Sequence, residues 1–490
     1  MSSPRPDASA LDRPLDRPLV LRHVELDGRL VDVSVRAGHI DAIGPDLSVP
    51  ADALVVEGDG GGVLPGLHDH HLHLLALAAA LGSVDLAAAG VVDEHTMAAA
   101  LRAAAAVAPP GEWLRAVGHR ELPGRPLDRW QLDAVVADRP VRVQHRSGAL
   151  WVLNSRALAE VGLLDGPRPA GCEIAPDGSP TGRLLRLDAW LSGRVPRRRP
   201  DLARIGRLLA GRGVTGVTDM TPFATVDHLS PLVAAMSSGA LPQRVIVTGA
   251  PTVDPADLPP QVTAGPAKVL LHDHDLPTPD AIAEQVRLAR AHGRAVAVHC
   301  VTRASLVLTL AALTEVGSVA GDRIEHGAVV PPELYDDLLR LGLTVVTQPN
   351  FVAERGDDYL TDVEPEDLPH LWPCRSLLVA GIPVAAGTDA PFGRPDPWAL
   401  LHAAIDRRTP SGAVLGRGER LDPRTALDLL LRPGARPSAP ARRVAVGQPA
   451  DLCLLRVPVA SALAAGDGSP GVEPPVAAVV IGGRLLDPST

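Results

Sequence analysis

Lysine is almost absent from this chain. The 490 residues include 47 lysines and arginines, and lysine occurs only at Lys268. The formal net charge is −10, and no segment concentrates basic residues into a stripe. Nucleic-acid binding needs a basic surface that neutralises phosphates, so nucleic acid is not an expected partner. The survival of a single lysine raises the question of what its amine does.

Cysteine and long apolar runs are also scarce. The four cysteines have no paired spacing: Cys172, Cys300, Cys374 and Cys453. They predict reduced, mostly buried thiols and argue against a disulfide framework or a zinc knuckle. The longest apolar run, residues 72–81, is too short to cross a bilayer and contains a histidine. We therefore expect a cytoplasmic protein that does not act in a membrane.

Short runs of alternating apolar and polar residues occur near both ends of the chain. Residues 19–62 and 443–487 have this period of two, which is typical of antiparallel strands. They predict one small β domain built from both ends. Residues 1–18 are rich in proline, aspartate and arginine and lack an apolar segment, so they predict a flexible leader and not a signal peptide.

The middle of the chain, residues 63–442, alternates strand-like and helix-like segments. The apolar strand candidates cover residues 63–67, 214–219, 244–247, 268–271, 295–299, 323–326, 344–348 and 384–389. These eight candidates are the number that closes a (β/α)8 TIM barrel, so we predict this α/β fold. The long separation of the first two candidates predicts an insertion, at about residues 85–205, over the active-site mouth.

Side chains that can bind a metal follow the predicted strands. His71 and His73 come after the first strand, and residues two apart in an extended segment face the same side. His299, His326 and Asp389 end the fifth, sixth and eighth strands. Barrel strands bring their carboxyl ends to one mouth, so these side chains are expected to meet there. A His-x-His pair alone is weak support, but the convergence predicts a metal centre.

Lys268 opens the fourth predicted strand. A desolvated lysine can become a neutral amine, which an arginine cannot easily do. A neutral amine can react with carbon dioxide to give a carbamate, an anionic ligand that bridges two metals, or it can form a Schiff base. The retention of one lysine on a barrel strand favours such a role over chance survival. Because Lys268 begins its apolar run, the pattern alone does not fix whether its side chain reaches the mouth.

These motifs resemble those of the amidohydrolase superfamily. The similar segments are residues 65–73 (PGLHDHHLH), 323–327 (RIEHG) and 387–391 (GTDAP). More narrowly, residues 154–158 (NSRAL), 177–182 (DGSPTG) and 447–452 (GQPADL) resemble the branch that contains N-substituted formamide deformylases. The resemblance covers residues 20–486 and implies that both ends of the chain form the composite β-sandwich of that superfamily.

The sequence departs from that branch around the expected substrate pocket. Gly148 and Ala149 stand where the branch usually has a Gly-His pair, and the nearest imidazole is that of His145. The Gly-Asp pair that commonly follows the strand-five histidine is missing after His299. These differences leave the metal motifs intact and leave the substrate open.

The resemblance implies a centre with two divalent ions per chain, and zinc is the default expectation for imidazole and carboxylate ligands. One ion would be held by His71, His73 and Asp389. The other would be held by His299 and His326, and carbamylated Lys268 would bridge the two ions.

The implied reaction is hydrolysis of a non-peptide C–N bond, in an amide, formamide or cyclic amide, by a metal-bound hydroxide. Asp389, Lys268 and His326 are the predicted catalytic residues, and Asp389 would carry the proton from the nucleophile to the leaving nitrogen. The expected partner is a small-molecule substrate, and a homodimer is expected only because it is the commonest arrangement among soluble oligomers. The candidate substrate-binding residues are Arg146, Trp151, His272, His274, Gln348 and Asn350.

Three other interpretations compete with two-metal hydrolysis. The first is a mononuclear zinc deaminase of a heterocyclic or amidine substrate, in which His326 orients the substrate and Lys268 stays unmodified. Its zinc ligands would be His71, His73, His299 and Asp389. The second is an isomerase or decarboxylase on the same scaffold. The third is a binding protein without catalysis, which intact ligands at every expected strand disfavour.

Overall fold

The computed structural model describes residues 17–86, 91–121, 126–196, 199–223, 225–464 and 473–486. These residues form two compact units. The larger unit takes the described residues of Met1–Leu74 and Leu202–Thr490, and the smaller unit takes those of Leu75–Asp201. The predicted leader, residues 1–18, lies outside the described residues apart from its last two.

The described residues contain 23 strands and 15 α-helices. The strands are β1 (Leu19–Leu26), β2 (Arg29–Arg36), β3 (His39–Gly44), β4 (Leu54–Glu57), β5 (Val63–Pro65), β6 (Leu67–Leu72), β7 (Val84–Asp85), β8 (Leu114–His119), β9 (Val141–His145), β10 (Leu150–Leu153), β11 (Cys172–Ile174), β12 (Pro180–Leu185), β13 (Val214–Asp219), β14 (Arg244–Val247), β15 (Thr263–Ala264), β16 (Ala267–Val269), β17 (Val296–Cys300), β18 (Arg323–His326), β19 (Thr344–Thr347), β20 (Val384–Ala386), β21 (Leu452–Leu455), β22 (Val476–Ile481) and β23 (Arg484–Leu486). The helices are α1 (Leu74–Leu81), α2 (Glu94–Val107), α3 (Arg129–Val135), α4 (Ser155–Glu160), α5 (Asp188–Ser192), α6 (Leu202–Ala210), α7 (Ser230–Ser237), α8 (Pro279–Ala291), α9 (Arg303–Val316), α10 (Tyr335–Arg340), α11 (Asn350–Asp362), α12 (Cys374–Val379), α13 (Pro397–Asp406), α14 (Pro423–Leu431) and α15 (Val459–Ala464).

Both ends of the described chain form small sheets of the larger unit. One four-stranded sheet has the order β3-β2-β1-β4, and another has the order β23-β22-β21-β5. One buried apolar cluster contains residues of both sheets, among them Leu21, Val33, Leu452 and Val480. The composite β-sandwich stays a prediction, and this shared cluster supports it because packed sheets bury their inner faces together.

The first predicted barrel strand is divided between two sheets. β5 pairs antiparallel with β21, whereas β6 pairs parallel with β13. Gly66 separates the two strands, and a Cβ there would overlap the side chain of Thr215, so only glycine permits this approach. The prediction of a single strand over residues 63–67 is therefore wrong in its bounds. As a consequence, His71 lies inside β6 and not after it.

The centre of the larger unit consists of parallel strands. The described strands form a four-stranded sheet in the order β15-β14-β13-β6 and a five-stranded sheet in the order β16-β17-β18-β19-β20. Backbone hydrogen bonds link the two sheets at both ends, from Lys268 N to Gly249 O at 2.8 Å and from Asp389 N to His71 O at 2.7 Å. The mixed α/β class is confirmed. The closed TIM barrel stays a prediction, which these bonds support.

Helices connect the parallel strands as the alternating pattern predicts. The segment expected to be helical, residues 278–292, forms α8, and the side chain of Thr278 caps it by accepting a hydrogen bond from Ala281 N at 3.3 Å. Ile282, Val286 and Ala289 are buried along one face of this helix, which is the spacing of an amphipathic helix against a sheet.

The smaller unit is built around a six-stranded sheet in the order β11-β12-β10-β9-β8-β7. Its helices bury apolar faces, with Leu101 and Leu132 in one cluster and Leu158 and Leu191 in another. The unit covers most of the predicted insertion, and the placement of that insertion over the active-site mouth stays a prediction. Among the described helices of the whole chain, none combines the length and the apolar character that a membrane span requires.

Candidate metal centre

Six side chains that the sequence predicts as metal ligands lie on the parallel strands or just after them. His71 is in β6 and His73 follows it, Lys268 is in β16, His299 is in β17, His326 ends β18 and Asp389 follows β20. Parallel strands place their carboxyl ends at the same edge, so the fold brings these positions together.

His71, His73 and Asp389 have the spacing of a metal site. Asp389 Oδ1 lies 3.5 Å from His71 Nε2 and 3.4 Å from His73 Nε2. Ligands at about 2.1 Å from a tetrahedral ion would lie about 3.4 Å from one another. Among the described residues, neither His71 Nε2 nor Asp389 Oδ1 has a hydrogen-bond partner, although both are buried. Leaving such atoms unpaired is costly, and a bound cation would satisfy both.

The second pair of predicted ligands adjoins the first group. The ring centroids of His299 and His326 are 4.4 Å apart, and those of His71 and His326 are 4.8 Å apart. His326 Nδ1 is 3.9 Å from Asp389 Oδ2. Lys268 is only 3% exposed, so the side chain that the pattern left undecided is buried in the larger unit.

Burial controls the protonation of this cluster. Burial, reinforced by Lys268, lowers the pKa of His299 to about 3 and lowers that of His71 as well. Burial also lowers the pKa of the Lys268 amine, against the attraction of Glu325 and Asp389. Burial alone would raise the pKa of Asp389, but the nearby imidazoles of His71 and His73 hold it below the ordinary value. Near pH 7, His71 and His299 are therefore neutral and Asp389 is ionised, which are the forms that bind metals.

Two residues of the cluster have a backbone conformation that non-glycine residues rarely adopt. His326 has φ 69° and Asp389 has φ 55°. Such conformations cost of order 1–3 kcal/mol and persist where the surrounding structure holds them, often at functional sites. At His326 the conformation has a direct consequence. It interrupts the strand alternation, so that the consecutive residues Glu325 and His326 both contact His71.

Glu325 contacts the cluster directly, and the sequence analysis did not single it out. It is fully buried, and its Oε2 accepts a hydrogen bond from His71 Nδ1 at 2.5 Å. Its Oε1 lies 2.5 Å from Arg323 Nε. Burial opposes ionisation, but the attraction of Arg323 and His71 lowers the pKa of Glu325 to about 2. The sequence contained one signal of an ion pair at Glu325. Arg323 and Glu325 carry opposite charges and are two residues apart on a strand, so their side chains share a face.

Gln348 and Asn350, two of the predicted substrate-binding residues, are buried beside the cluster. Gln348 Oε1 accepts a hydrogen bond from His326 Nδ1 at 2.8 Å. Asn350 Nδ2 donates to the backbone oxygen of Thr388 at 3.1 Å and to Glu354 Oε1 at 3.2 Å. Among the described residues, Gln348 Nε2 and Asn350 Oδ1 have no hydrogen-bond partner. Their role toward a substrate stays a prediction.

The other four predicted substrate-binding residues are divided between the two units. His272 and His274 are exposed after β16, with ring centroids 6.0 Å apart. Arg146 and Trp151 belong to the smaller unit. Trp151 is 4% exposed, and its indole N–H donates to Asp188 Oδ1 at 2.8 Å. Substrate binding by these four residues stays a prediction.

Gly387 permits the close approach of β20 to β6, and this suggests a test of the cluster. In Gly387→Ala the new Cβ would overlap the amide nitrogen of His71 and lie 2.8 Å from Asp69 Oδ1. We expect unfolding in urea to show a loss of about 1–3 kcal/mol, with weaker metal uptake. The matched control is Gly418→Ala, where a Cβ meets nothing within 4 Å. Equal stability of the two variants would contradict the close approach.

Comparisons with known proteins identify the family and the fold. Residues 55–486 match the amidohydrolase family. The N-substituted formamide deformylase of Arthrobacter pascens is 26% identical over 453 residues, which cover 81% of this chain and 83% of that protein.

Two solved structures share the fold. An uncharacterized metal-dependent hydrolase from Pyrococcus horikoshii has a TM-score of 0.72 at 20% identity, with coverage of 90% of this chain and 97% of the other. The N-isopropylammelide isopropylaminohydrolase from Burkholderia multivorans has a TM-score of 0.55 at 18% identity, with coverage of 96% and 98%. The resemblance read from the sequence is confirmed, and so is the prediction of an amidohydrolase: this chain belongs to the amidohydrolase family.

Proposed function

We propose that this chain is a metal-dependent hydrolase that cleaves a non-peptide C–N bond in an amide, formamide or cyclic amide. The observation that carries the proposal is the group His71, His73 and Asp389, whose ligand atoms all lie within 4.8 Å of one another. Family membership and the similarity to a formamide deformylase support the same bond class.

The proposed centre holds two divalent ions. His71, His73 and Asp389 would hold one of them. His299 and His326 would hold the other, and carbamylated Lys268 would bridge the two. The neighbouring rings of His299 and His326 and the burial of Lys268 support this arrangement. Zinc is the proposed metal, because imidazole and carboxylate ligands suit it.

Bound divalent ions supply Lewis-acid chemistry, which makes water nucleophilic near neutral pH and polarises a carbonyl group. Within the chain, Asp389 is the residue that moves the proton. Its Oδ1 faces His71 and His73, which leaves Oδ2 to take the proton from the attacking water. The carboxyl group then gives this proton to the leaving nitrogen, so Asp389 acts first as a base and then as an acid. His326, 3.9 Å from Oδ2, lies next to this transfer.

A mononuclear zinc deaminase is the second candidate. It is favoured by the finding that, among the described residues, a single group of three side chains has ligand atoms this close together. In that case His299 would complete the coordination of one zinc, His326 would orient the substrate and Lys268 would remain an amine. The number of ions per chain separates the two candidates.

Removal of the metal tests the proposed function. Dialysis against a chelator is expected to lower hydrolysis of the best substrate about 100-fold, because the metal supplies several kcal/mol of the catalysis. Elemental analysis of the purified protein should give two zinc ions per chain. The substrates to screen are formamides, cyclic amides and aminopurines.

Re-addition of zinc to the stripped protein is the control, and it should restore both activity and metal content. Full activity after complete removal of the metal would exclude the proposed chemistry. One ion per chain together with turnover of aminopurines would favour the deaminase.

The setting of the reaction also belongs to the proposal. We propose that the enzyme is cytoplasmic and acts on a small-molecule substrate as a homodimer. It is proposed to bind neither nucleic acid nor a membrane. All four cysteines are free thiols, which fits a reducing compartment.

A further inference from the structure

Two histidines of the centre have their Nδ1 atoms held by buried side chains. His71 Nδ1 is 2.5 Å from Glu325 Oε2, and His326 Nδ1 is 2.8 Å from Gln348 Oε1. Both acceptors are fully buried at 0% exposure, so water does not compete for these contacts. One pair joins β6 to β18 and the other joins β18 to the residue that follows β19, yet both make the same connection to the ring.

The chemistry of the acceptors fixes which ring nitrogen carries the proton. A carboxylate oxygen and an amide oxygen accept hydrogen bonds and do not donate them. Each Nδ1 must therefore carry the hydrogen, and each Nε2 keeps its lone pair. For His71 this nitrogen points to Asp389 Oδ1 at 3.5 Å, which is the spacing of two ligands of one ion.

Arg323 fixes the orientation of the Glu325 carboxylate. Its Nε lies 2.5 Å from Glu325 Oε1, so that the other oxygen faces His71. Arg323 is only 2% exposed, and its Nη2 donates to Met220 Sδ at 2.9 Å. A buried carboxylate without such a partner would be strongly disfavoured, and the pair keeps it ionised beneath the centre.

We propose that Glu325 and Gln348 are positioning residues that hold His71 and His326 in the Nδ1–H form, so that each presents Nε2 to the metal. This inference rests on the metal centre of the proposed function and extends it to residues that touch only the ligands. Glu325 carries a charge and makes His71 a stronger donor, whereas Gln348 is neutral. Loss of Glu325 should therefore weaken metal binding more than loss of Gln348.

The first measurement is the zinc affinity of the metal-free full-length protein, titrated against a competing chelator. Glu325→Leu and Gln348→Leu each remove the acceptor of a proposed ligand, and each is expected to weaken zinc binding within a range of about 10–100-fold, with the larger loss for Glu325→Leu. Gln348→Glu keeps an oxygen acceptor and should bind within about 3-fold of the parent, by the same dependence on the acceptor. Gln348→Leu strands no charge, so it keeps the test valid if the glutamate variant folds poorly.

A matched control removes the hydrogen-bond partner of a buried histidine that is not a proposed ligand. His68 lies on β6, the strand that also carries His71, and its Nε2 is 3.0 Å from Thr218 Oγ1. Thr218→Val should leave the zinc affinity unchanged, although it disturbs a buried histidine to a similar degree. An equal loss of affinity in this variant would assign the effect to general damage and overturn the positioning role.

The second measurement reads the ring nitrogens directly. Nitrogen NMR of the metal-free protein with 15N-labelled histidine should show His71 and His326 as Nδ1–H forms, assigned with His71→Asn and His326→Asn. Gln348→Leu should shift His326 toward the Nε2–H form, an effect that a merely structural role would not produce.

The outcomes separate this inference from the proposed function. Suppose that the parent binds zinc. If His71 and His326 are then found in the Nε2–H form, or if the variants bind zinc as tightly as the parent, the positioning role is overturned and the metal centre stands. If the parent binds no zinc, both the positioning role and the proposed zinc centre are contradicted.

Discussion

Replacement of Lys268 by arginine is expected to abolish hydrolysis and the binding of the second metal together. A guanidinium stays protonated and cannot react with carbon dioxide, so the bridging ligand of the proposed centre would be lost. It would also bring a fixed positive charge into a site that is 3% exposed and close to neutral imidazoles. We expect activity to fall by at least about 10³-fold, because metal assistance is worth several kcal/mol.

The composition of the chain makes the carbamate unusually easy to detect. Lys268 is the sole lysine in 490 residues, so labelling with 13C-bicarbonate should give one lysine carbamate resonance. That resonance should vanish in Lys268→Arg. The metal content, measured by elemental analysis, should fall from two ions per chain to one or none. Lys268→Met places no charge in the buried site and gives the same readouts if the arginine variant folds poorly.

Arg36→Lys is the matched control for this labelling. The Arg36 side chain is 59% exposed, so the new amine would stay in water and remain protonated. We expect no second resonance and an unchanged rate of hydrolysis. Full activity and full metal content in Lys268→Arg would end the carbamate hypothesis, and one ion per chain in both proteins would favour the mononuclear candidate.

The positions of the predicted ligands could be read from the sequence because they depend on strand ends. His299, His326 and Asp389 lie within or just after strands of a parallel sheet, and chain topology alone brings such positions to one edge. Lys268 was found by a different signal, its rarity in a chain that otherwise uses arginine. The first signal is local to each segment and the second lies in the composition of the chain, so a single sequence carries both.

The supporting contacts could not be read in the same way, because they join distant segments. Glu325 meets His71 across 254 residues, and nothing in either segment indicates that contact. The left-handed backbone at His326 also breaks the alternation that strand patterns assume. Similarly, the division of the first strand at Gly66 depends on the side chain of Thr215, which lies on β13.

Replacement of Asp389 by asparagine is expected to separate proton transfer from metal binding. An amide keeps an oxygen that can serve as a ligand, but it cannot take a proton from water near neutral pH. In the proposed centre, the two functions belong to different oxygen atoms. Oδ1 lies 3.5 Å and 3.4 Å from the Nε2 atoms of His71 and His73, whereas Oδ2 lies 3.9 Å from His326 Nδ1.

We therefore expect kcat of Asp389→Asn to fall by about 10²–10⁴-fold at saturating zinc, while KM changes little, because the base acts in the transition state and contributes little to substrate binding. Elemental analysis of the same samples should find metal still bound. Asp428→Asn, which removes a carboxylate paired with Arg443 on the surface, is the control and should keep the parental kcat. A variant that retains zinc and loses less than about 10-fold in kcat would show that another group carries the proton, since general bases contribute at least 10²-fold.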